Sequence, residues 1–442
     1  MPKKIHIMAV CITVLSLFIS VCGCGSAQSY SETETAVSYS CASSETSPYY
    51  DEYSAGDVPQ IYISTKDNVG SSLEKADGYI EADIVIVDTD SSTLQAADSM
   101  IKVRGNSTAE GSKKPYNIKF NEELEVLDLG CAKTWCLLAC CFDPTLMRNF
   151  LVTDLAYNMG LQYTPDQKVV EVYLDGTFLG CYNIIEKVEA GSDRININTE
   201  NGDFLIEYEA EKEEEGTSYI NTEHNLRFGV REPEEPTAAQ LASITAVLEN
   251  LDSALTAHDY HRVLEVIDEE SFAKYYVLNE FAKSVDIAYS SVFFYYKDGI
   301  LYAGPVWDYD QSLGNAWDEQ YPDYYNSEDG LNSYEGKRAS WNLVYNYLLQ
   351  FDEFRQAVRF WYSEYHELFE SLTSDGGFID SFVNEYASVI ERNFGEAGWQ
   401  VDAQYSYLMR IPDATYEENV DYLKYWVNGR LTWMDEYLEY KK

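Results

Sequence analysis

The spacing of hydrophobic positions changes partway along the chain. Before residue 232, apolar residues recur at every second position, as at Ile61 and Ile63, which is typical of strands that bury one face. After residue 237 the spacing is helical, and it predicts helices over 239–256, 270–282, 341–349, 351–372 and 416–440. The sequence therefore predicts an α+β domain over 59–442, with a sheet-rich part at 59–232 and a helical part at 237–442.

Each part is predicted to contain one element of the other type, a helix in the sheet-rich part and a β-hairpin in the helical part. In the sheet-rich part, apolar positions over 145–159 have helical spacing, and Asp143-Pro144 precedes them as a helix start signal. In the helical part, two short apolar stretches flank Asp298-Gly299, and a similar pair flanks Asp175-Gly176 in the first part. Asp-Gly suits a two-residue turn because both of its residues tolerate a positive φ. We expect a β-hairpin at each position.

The first 23 residues have the pattern of a signal peptide. Lys3 and Lys4 precede an apolar run that ends at small residues and is too short to span a bilayer comfortably. Val21-Cys22-Gly23 then leads into Cys24, a pattern similar to the bacterial lipobox. We expect a diacylglyceryl group on Cys24 to anchor the protein on the outer face of the bacterial cell membrane. An ordinary secretory peptide and a poor membrane helix are the alternatives.

Composition separates a stalk from a folded body. Residues 24–58 are rich in Ser, Thr, Tyr and acidic residues with few aliphatic ones, which predicts a disordered stalk. The formal net charge of −44 argues against binding to nucleic acid, whose phosphates require clustered Lys and Arg. Basic or metal-bridged ligands fit this charge better. The acidic stretch 207–215 is interpreted as a solvated loop between strands.

Six of the nine cysteines remain once Cys11, Cys22 and the lipidated Cys24 are set aside. Six cysteines allow up to three disulfides. Several lie in apolar surroundings, where a free cysteine behaves as a small hydrophobe, so we expect mostly buried thiols. A zinc site is the alternative, but the sequence contains no Cys-x-x-Cys pair.

The second hairpin organises two acidic residues. A turn at Asp298-Gly299 places Asp308 opposite Tyr289, and Asp286 lies three residues further along the same arm. Because neighbouring strands are about 5 Å apart, both carboxylates can converge on one site. Protein kinases use a similar order: a catalytic Asp, a hairpin and then a metal-binding Asp. The polar residue expected five positions after the catalytic Asp is here Ser291, and the usual His-Arg pair is absent.

A small polar loop upstream is suited to phosphate. Arg104-Gly105-Asn106-Ser107-Thr108 offers backbone donors and a cation, and Lys114 and Lys119 follow it. The spacing of the glycines and the lysine differs from that of a P-loop. Lys119 ends an apolar-x-apolar-Lys strand, the context from which a kinase lysine reaches nucleotide phosphates.

Together these segments resemble the CotH family of secreted and spore-coat proteins, which have an atypical protein-kinase-like fold. The resemblance covers about residues 60–315. It rests on motifs in this order: Val103-Arg104-Gly105-Asn106-Ser107, Lys113-Lys114-Pro115-Tyr116, Trp135, Asp143-Pro144-Thr145-Leu146-Met147-Arg148-Asn149, Val172-Tyr173-Leu174-Asp175-Gly176, Gly180-Cys181-Tyr182, Glu186-Lys187-Val188, Gly202-Asp203-Phe204-Leu205-Ile206-Glu207, Leu278-Asn279-Glu280, Asp286 and Gly304-Pro305-Val306-Trp307-Asp308-Tyr309-Asp310.

The resemblance implies a two-lobed kinase-like fold that transfers phosphate from ATP, with Mg²⁺ or Mn²⁺, to Ser or Thr of exported or surface proteins. It implies Asp286 as the catalytic acid. Asp308, Asp310 and Ser291 are the implied metal ligands.

The same resemblance makes Arg104, Lys114 and Lys119 candidates for the nucleotide phosphates. Glu186 is expected either to pair with one of the lysines or to border the adenine pocket.

Three other interpretations remain open at the level of sequence. The chain can be a surface-binding or adhesive module that kept the fold and lost turnover. Asp308, Asp310, Ser312 and Glu319 have the spacing of a calcium loop, although the glycine expected at its sixth position is Leu313. The paired carboxylates also suit a glycosidase.

Overall fold

A computed structural model describes residues 53–209, 214, 216–288, 290–315, 327, 343–399 and 414–441. The predicted signal peptide, Cys24 and most of the predicted stalk lie outside these residues. The last stalk residues, 53–58, contact the folded body: the Asp57 carboxylate accepts a hydrogen bond from Ser388 and pairs with Arg392. All described residues belong to one contact unit.

Seven strands form a closed barrel in the order β1-β2-β3-β4-β5-β7-β6. Their bounds are β1 Gln60–Thr65, β2 Ile80–Val87, β3 Thr93–Val103, β4 Tyr116–Glu125, β5 Cys131–Leu138, β6 Gln167–Leu174 and β7 Thr177–Glu186. The alternating apolar residues fill its interior, as shown by Ile61 and Val172, both 0% exposed. The barrel closes where β1 pairs in parallel with β6, with Ile61 opposite Val172. The predicted Asp175-Gly176 hairpin is β6–β7, in which Leu174 pairs with Thr177.

One helix, α1 (Arg148–Asn158), lies between β5 and β6, as predicted. It begins three residues later than expected because Asp143 forms a turn in front of it. The Asp143 carboxylate accepts hydrogen bonds from the backbone N–H groups of Thr145 and Arg148. The apolar face of α1, including Leu151 and Leu155, is buried in the larger of the hydrophobic cores.

A second sheet crosses the predicted boundary at residues 232–237. It has the order β12-β11-β8-β10-β9. The bounds are β8 Phe204–Tyr208, β9 Ser218–Asn221, β10 Arg227–Glu232, β11 Val292–Lys297 and β12 Ile300–Ala303. The hairpin predicted around Asp298-Gly299 is β11–β12, with Lys297 opposite Ile300. Because β11 also pairs with β8, strands from both parts of the chain form a single sheet.

The described C-terminal part is mainly helical. Its helices are α2 Ala238–Thr256, α3 Tyr260–Leu264, α4 Glu269–Ala282, α5 Leu343–Leu348, α6 Asp352–Ser371, α7 Phe378–Glu385, α8 Ala387–Gly395 and α9 Tyr416–Tyr437. Capping boxes start α2 and α9, where Thr237 and Thr415 exchange hydrogen bonds with the residue three positions on. The α+β class is therefore confirmed, and α3, α7 and α8 are additions that the hydrophobic spacing did not predict.

Among the described residues, no helix combines the length and the apolar character needed to cross a bilayer. The expectation of mostly buried thiols holds for Cys136, Cys140 and Cys181, which are buried and free, and Cys141 is free and half-buried. Cys131 is disulfide-bonded.

Candidate active site

A cleft of about 460 Å³ brings together residues from distant parts of the chain. The loop after β3 contributes Arg104 and Gly105, and the turn after β5 contributes Cys140 and Cys141. The second sheet and the loops next to it supply many of the other polar side chains, among them Glu207, Arg231, Asp286, Ser290, Ser291, Asp308, Asp310 and Gln311. Asp286 and Asp308 thus line one cleft, as the sequence predicted.

Residues at the start of α1 anchor the loop that carries Asp308 through hydrogen bonds. The Asn149 Oδ1 atom accepts a hydrogen bond of 2.7 Å from the Tyr309 N–H. Arg148 donates from Nε to the Ser312 carbonyl at 3.1 Å and pairs with Asp143 at 2.5 Å. Both charged side chains are almost completely buried, at 1% and 2% exposure. These contacts explain the Asp143–Asn149 motif, because it anchors the segment that follows Asp308.

Asp286 lies beyond the end of the preceding helix. Helix α4 ends at Ala282, and Lys283 then adopts a left-handed conformation with φ 46°. A 3₁₀ turn at Val285–Ala288 carries Asp286. Asp286 is therefore separated from the end of α4 and does not belong to that helix. Tyr289, which we expected opposite Asp308, lies outside the described residues.

Three carboxyl groups of the cleft interact electrostatically. Burial raises the pKa of Asp310 well above its ordinary value, and the negative charges of Asp308 and Asp286 raise it further. Asp143 adds to the effect from outside the lining of the cleft. These carboxyl groups are therefore close enough to interact, and a bound cation would favour their charged forms.

The donor set fits a magnesium-type ion. The Ser291 Oγ atom lies 3.5 Å from an Asp308 carboxylate oxygen, and the Asp310 carboxyl is close by. Within the described ranges, no three His, Cys, Asp or Glu side chains form a ready-made metal cluster. Mg²⁺ usually binds through one or two carboxylates together with substrate phosphates rather than in an all-protein cage. Asp308 and Asp310 are therefore suited to hold such an ion jointly with a nucleotide.

The calcium-loop interpretation gains no support from Ser312. Its hydroxyl is buried and donates to the Tyr309 carbonyl at 2.7 Å, and it does not line the cleft. Glu319 lies outside the described residues.

An ion-pair network with two buried carboxylates supports Ser291. The Glu207 carboxylate accepts a 2.6 Å hydrogen bond from the Ser291 N–H, and its other oxygen pairs with Arg231 at 2.7 Å. Arg231 also pairs with Glu209 and Glu214. Glu207 and Glu209 are buried, so the prediction that the acidic stretch is a solvated loop is wrong for them. Arg231 is 24 residues from Glu207 in the chain, so no local sequence pattern indicated their ion pair.

Of the three predicted phosphate-binding residues, only Arg104 lines the cleft, where its guanidinium lies 5.5 Å from the Trp307 ring centroid. Gly105 beside it has φ 88°, and an added Cβ there would clash with the Thr108 hydroxyl. Lys114 departs from the prediction because it pairs with Glu74 at 2.6 Å, outside the lining. Lys119 is exposed and lies 5.7 Å from the Tyr79 ring centroid, also outside the lining.

Glu186 pairs with Arg194 and not with any of the predicted lysines. Burial raises the pKa of Glu186 to about 7, although the charge of Arg194 opposes the shift. Together they line a second cavity of about 380 Å³. Lys187 and Val188 line both this cavity and the main cleft, so the two are adjacent.

Several cleft residues were not predicted as site residues, among them Lys187, Asn117, Glu207 and Arg231. Lys187 pairs with Glu189 at 2.6 Å. Burial opposes the charge of Lys187, but Glu189 outweighs it and raises the pKa of the lysine above its ordinary value. Lys187 follows directly after β7, which ends at Glu186, and its motif Glu186-Lys187-Val188 was the sequence signal for it.

The model of the family described as CotH kinase protein matches residues 101–434, most of the chain. Comparison with curated protein sequences gave no match. The matched range includes every cleft residue except Lys75. The chain belongs to the CotH kinase family.

Proposed function

We propose that this CotH-family protein is an exported kinase that transfers phosphate from ATP to Ser or Thr residues of surface or exported proteins. The observation that carries the proposal is the single cleft that contains Asp286, Asp308, Asp310 and Arg104. Phosphoryl transfer depends mainly on positioning and on charge stabilisation, and this cleft offers acidic groups for a metal ion and a cation for phosphate.

Each acidic residue has a proposed role. Asp286 orients the acceptor hydroxyl and accepts its proton while the hydroxyl oxygen bonds to the γ-phosphorus and the bond to the β-phosphate oxygen breaks. Asp308 and Asp310 hold Mg²⁺ or Mn²⁺, which when bound neutralises charge on the phosphates. Arg104, which lines the same cleft, interacts with the phosphate oxygens.

We also propose that the barrel and the helical part correspond to the two lobes of a kinase-like fold. The cleft supports this arrangement because its lining comes both from the loop after β3 and from the segments that follow α4 and β12. The second sheet would connect the lobes, since it contains strands from both parts of the chain.

Export and anchoring through Cys24 remain part of the proposal. The signal-like N-terminus and the lipobox-like Cys24 support them. The disulfide at Cys131 also fits an oxidising compartment outside the cytoplasm, where such bonds persist. The acceptor protein is expected to carry basic residues, because the chain has 75 acidic side chains against 31 Lys and Arg.

A catalytically weak surface-binding module is the second candidate. Ser291 favours it, because a hydroxyl, which binds magnesium less well than an amide oxygen, stands where kinases place that amide. Such a module would bind its ligand independently of Asp286.

Transfer of labelled phosphate tests the two candidates. Purified protein, labelled ATP, Mg²⁺ or Mn²⁺ and a Ser-rich basic peptide should give labelled peptide or labelled protein. Asp308→Asn should reduce the rate at least 100-fold, because a neutral amide replaces a metal-binding carboxylate. Asp421→Asn, on the exposed face of α9, is the matched control and should keep the wild-type rate. Equal rates for Asp308→Asn and wild type would remove the proposed mechanism.

A further inference from the structure

Two free cysteines lie opposite each other where β5 leaves the barrel. Leu138, the last residue of β5, pairs with Asn183 of the antiparallel strand β7. Two positions after Leu138 and two positions before Asn183 are Cys140 and Cys181, which the same register places opposite each other. Facing Cα atoms in antiparallel strands are about 4.5–5.5 Å apart, and a disulfide spans about 4.4–6.8 Å between Cα atoms. The continued register therefore brings the two cysteines within reach of a disulfide.

Burial places both cysteines on the same face of the sheet. Their chain neighbours Ala139 and Tyr182 belong to the hydrophobic core of the barrel, whereas Cys140 and Cys181 belong to the larger core that contains α1. Alternation accounts for this division, because successive side chains of a strand point to opposite faces. The two thiols therefore leave facing positions on the same side.

A buried lysine lies beside both thiols. The Lys113 Nζ atom donates hydrogen bonds to the Cys181 carbonyl at 2.5 Å and to the Asn393 Oδ1 atom at 3.0 Å. Burial raises the pKa of Cys181 to about 11 and raises the pKa of Cys140 well above its ordinary value, and the positive charge of Lys113 opposes both shifts. The charge of a Cys181 thiolate also raises the pKa of Cys140. These mutual effects require the three groups to be close together, which agrees with the register.

The free cysteines differ in their access to the cleft and in what they face. Cys136, Cys140 and Cys141 line the main cleft, whereas Cys181 is 2% exposed and does not line it. Cys136 pairs with Ile185 in the strand register, so the position opposite it holds no thiol. Cys140 therefore combines access from the cleft with a facing thiol.

We propose that Cys140 and Cys181 form a disulfide when hydrogen peroxide enters the cleft, and that this bond links the turn after β5 to β7. The Cys140 sulfur attacks one peroxide oxygen, the O–O bond breaks, and one water leaves with the Cys140 proton, so that Cys140 becomes a sulfenic acid. The Cys181 sulfur then bonds to the Cys140 sulfur, and the hydroxyl group leaves with the Cys181 proton as a second water. The two thiols lose two electrons and two protons, which the peroxide takes up.

The disulfide acts on the wall of the cleft. The Cys140 carbonyl accepts a 3.1 Å hydrogen bond from the Asp143 N–H, so this turn leads directly into the buried ion pair of Asp143 with Arg148. Cys140 has φ 51°, in the left-handed region that residues with a Cβ adopt at a cost. A bond to Cys181 closes a long loop of the unfolded chain and lowers its entropy. Oxidation should therefore stabilise the folded body around the cleft, whether or not the protein is a kinase.

Mass spectrometry after oxidation tests the proposal. The mature protein is treated with hydrogen peroxide at mildly alkaline pH, where more thiolate is present, and its remaining thiols are then blocked with iodoacetamide. The digest should contain a peptide pair joined through Cys140 and Cys181, and the midpoint of thermal unfolding should rise by roughly 5 °C. Cys181→Ala should instead accumulate a sulfenic acid at Cys140, which dimedone labels. Cys136→Ala is the matched control and should form the same link, because residue 136 lines the cleft but faces Ile185.

The variant Cys141→Ala separates the proposed link from its competitors. A link between Cys140 and Cys181 survives this substitution, whereas a link through Cys141 does not, and a link through Cys141 in the wild type overturns the proposal. Peroxide treatment that leaves both Cys140 and Cys181 as thiols, or that oxidises Cys140 to a sulfinic acid without a link, also overturns it. Circular dichroism before oxidation establishes that each variant is folded.

Discussion

The ion pair between Asp143 and Arg148 gives the sharpest test of how the cleft is held. Arg148 is 1% exposed, pairs with Asp143 and donates to the Ser312 carbonyl in the segment after Asp308. Replacing it with methionine keeps much of its volume but leaves the Asp143 carboxylate buried without its cation. The change therefore tests both stability and the placement of the Asp308 loop.

The expected magnitude follows from burial. Removing one partner of a buried ion pair costs about 3–5 kcal/mol, because the remaining charge is desolvated without compensation. Loss of the donor to the Ser312 carbonyl adds about 1–3 kcal/mol. The double variant Asp143→Asn/Arg148→Met removes both charges, so we expect it to regain at least about 2 kcal/mol relative to Arg148→Met. Phosphate transfer should stay low in both, because neither variant anchors the Ser312 carbonyl.

Urea unfolding followed by tryptophan fluorescence measures these differences from the midpoints at constant slope. Arg355→Met is a suitable control, since its ion pair with Asp352 is exposed and should contribute at most about 1 kcal/mol. If Arg148→Met and the double variant unfold at the same midpoint, the cost does not come from a stranded charge. Full activity in the double variant would show that Arg148 does not position the loop.

Three further outcomes are expected. Glu207→Gln should weaken the binding of Mg²⁺ or Mn²⁺ about 10-fold with nucleotide present. The variant loses the ion pair with Arg231, which orients the residue-207 side chain that accepts the hydrogen bond from the Ser291 N–H. An unchanged metal titration would contradict this. Gly105→Ala should lower the free energy of unfolding by about 1–2 kcal/mol and weaken ATP binding, because residue 105 has a φ of 88° and an added Cβ clashes with Thr108. Gly111→Ala is the control and should lower stability less, because φ is −70° there. Equal losses of stability in the two variants would refute the argument. The folded-state pKa of Glu186 is raised to about 7 from 4.5. The stability that protonated Glu186 contributes is therefore fully present below pH 4.5 and is lost as the pH rises through 7, which lowers the free energy of unfolding by about 3 kcal/mol. Thermal unfolding of Glu186→Gln across this range should not show this dependence of stability on pH.

Local sequence patterns determined the parts of the structure that short-range physics controls. Alternation predicted a sheet-rich first part, and Asp-Gly placed both hairpins because these residues tolerate the positive φ of a tight turn. Helical spacing located α2, α4, α6 and α9 to within a few residues. Two aspartates in a kinase-like order were enough to predict that Asp286 and Asp308 share a site.

Only the tertiary structure decided which partners meet across long sequence distances. Asn149 and the Tyr309 N–H are 160 residues apart, and no local pattern records their hydrogen bond. Closure of the barrel by β1 and β6, and the sheet that joins both parts of the chain, likewise depend on pairing between distant strands. The physical reason is that side-chain spacing reveals which face of an element is buried, whereas the identity of its neighbour depends on the packing of the whole chain.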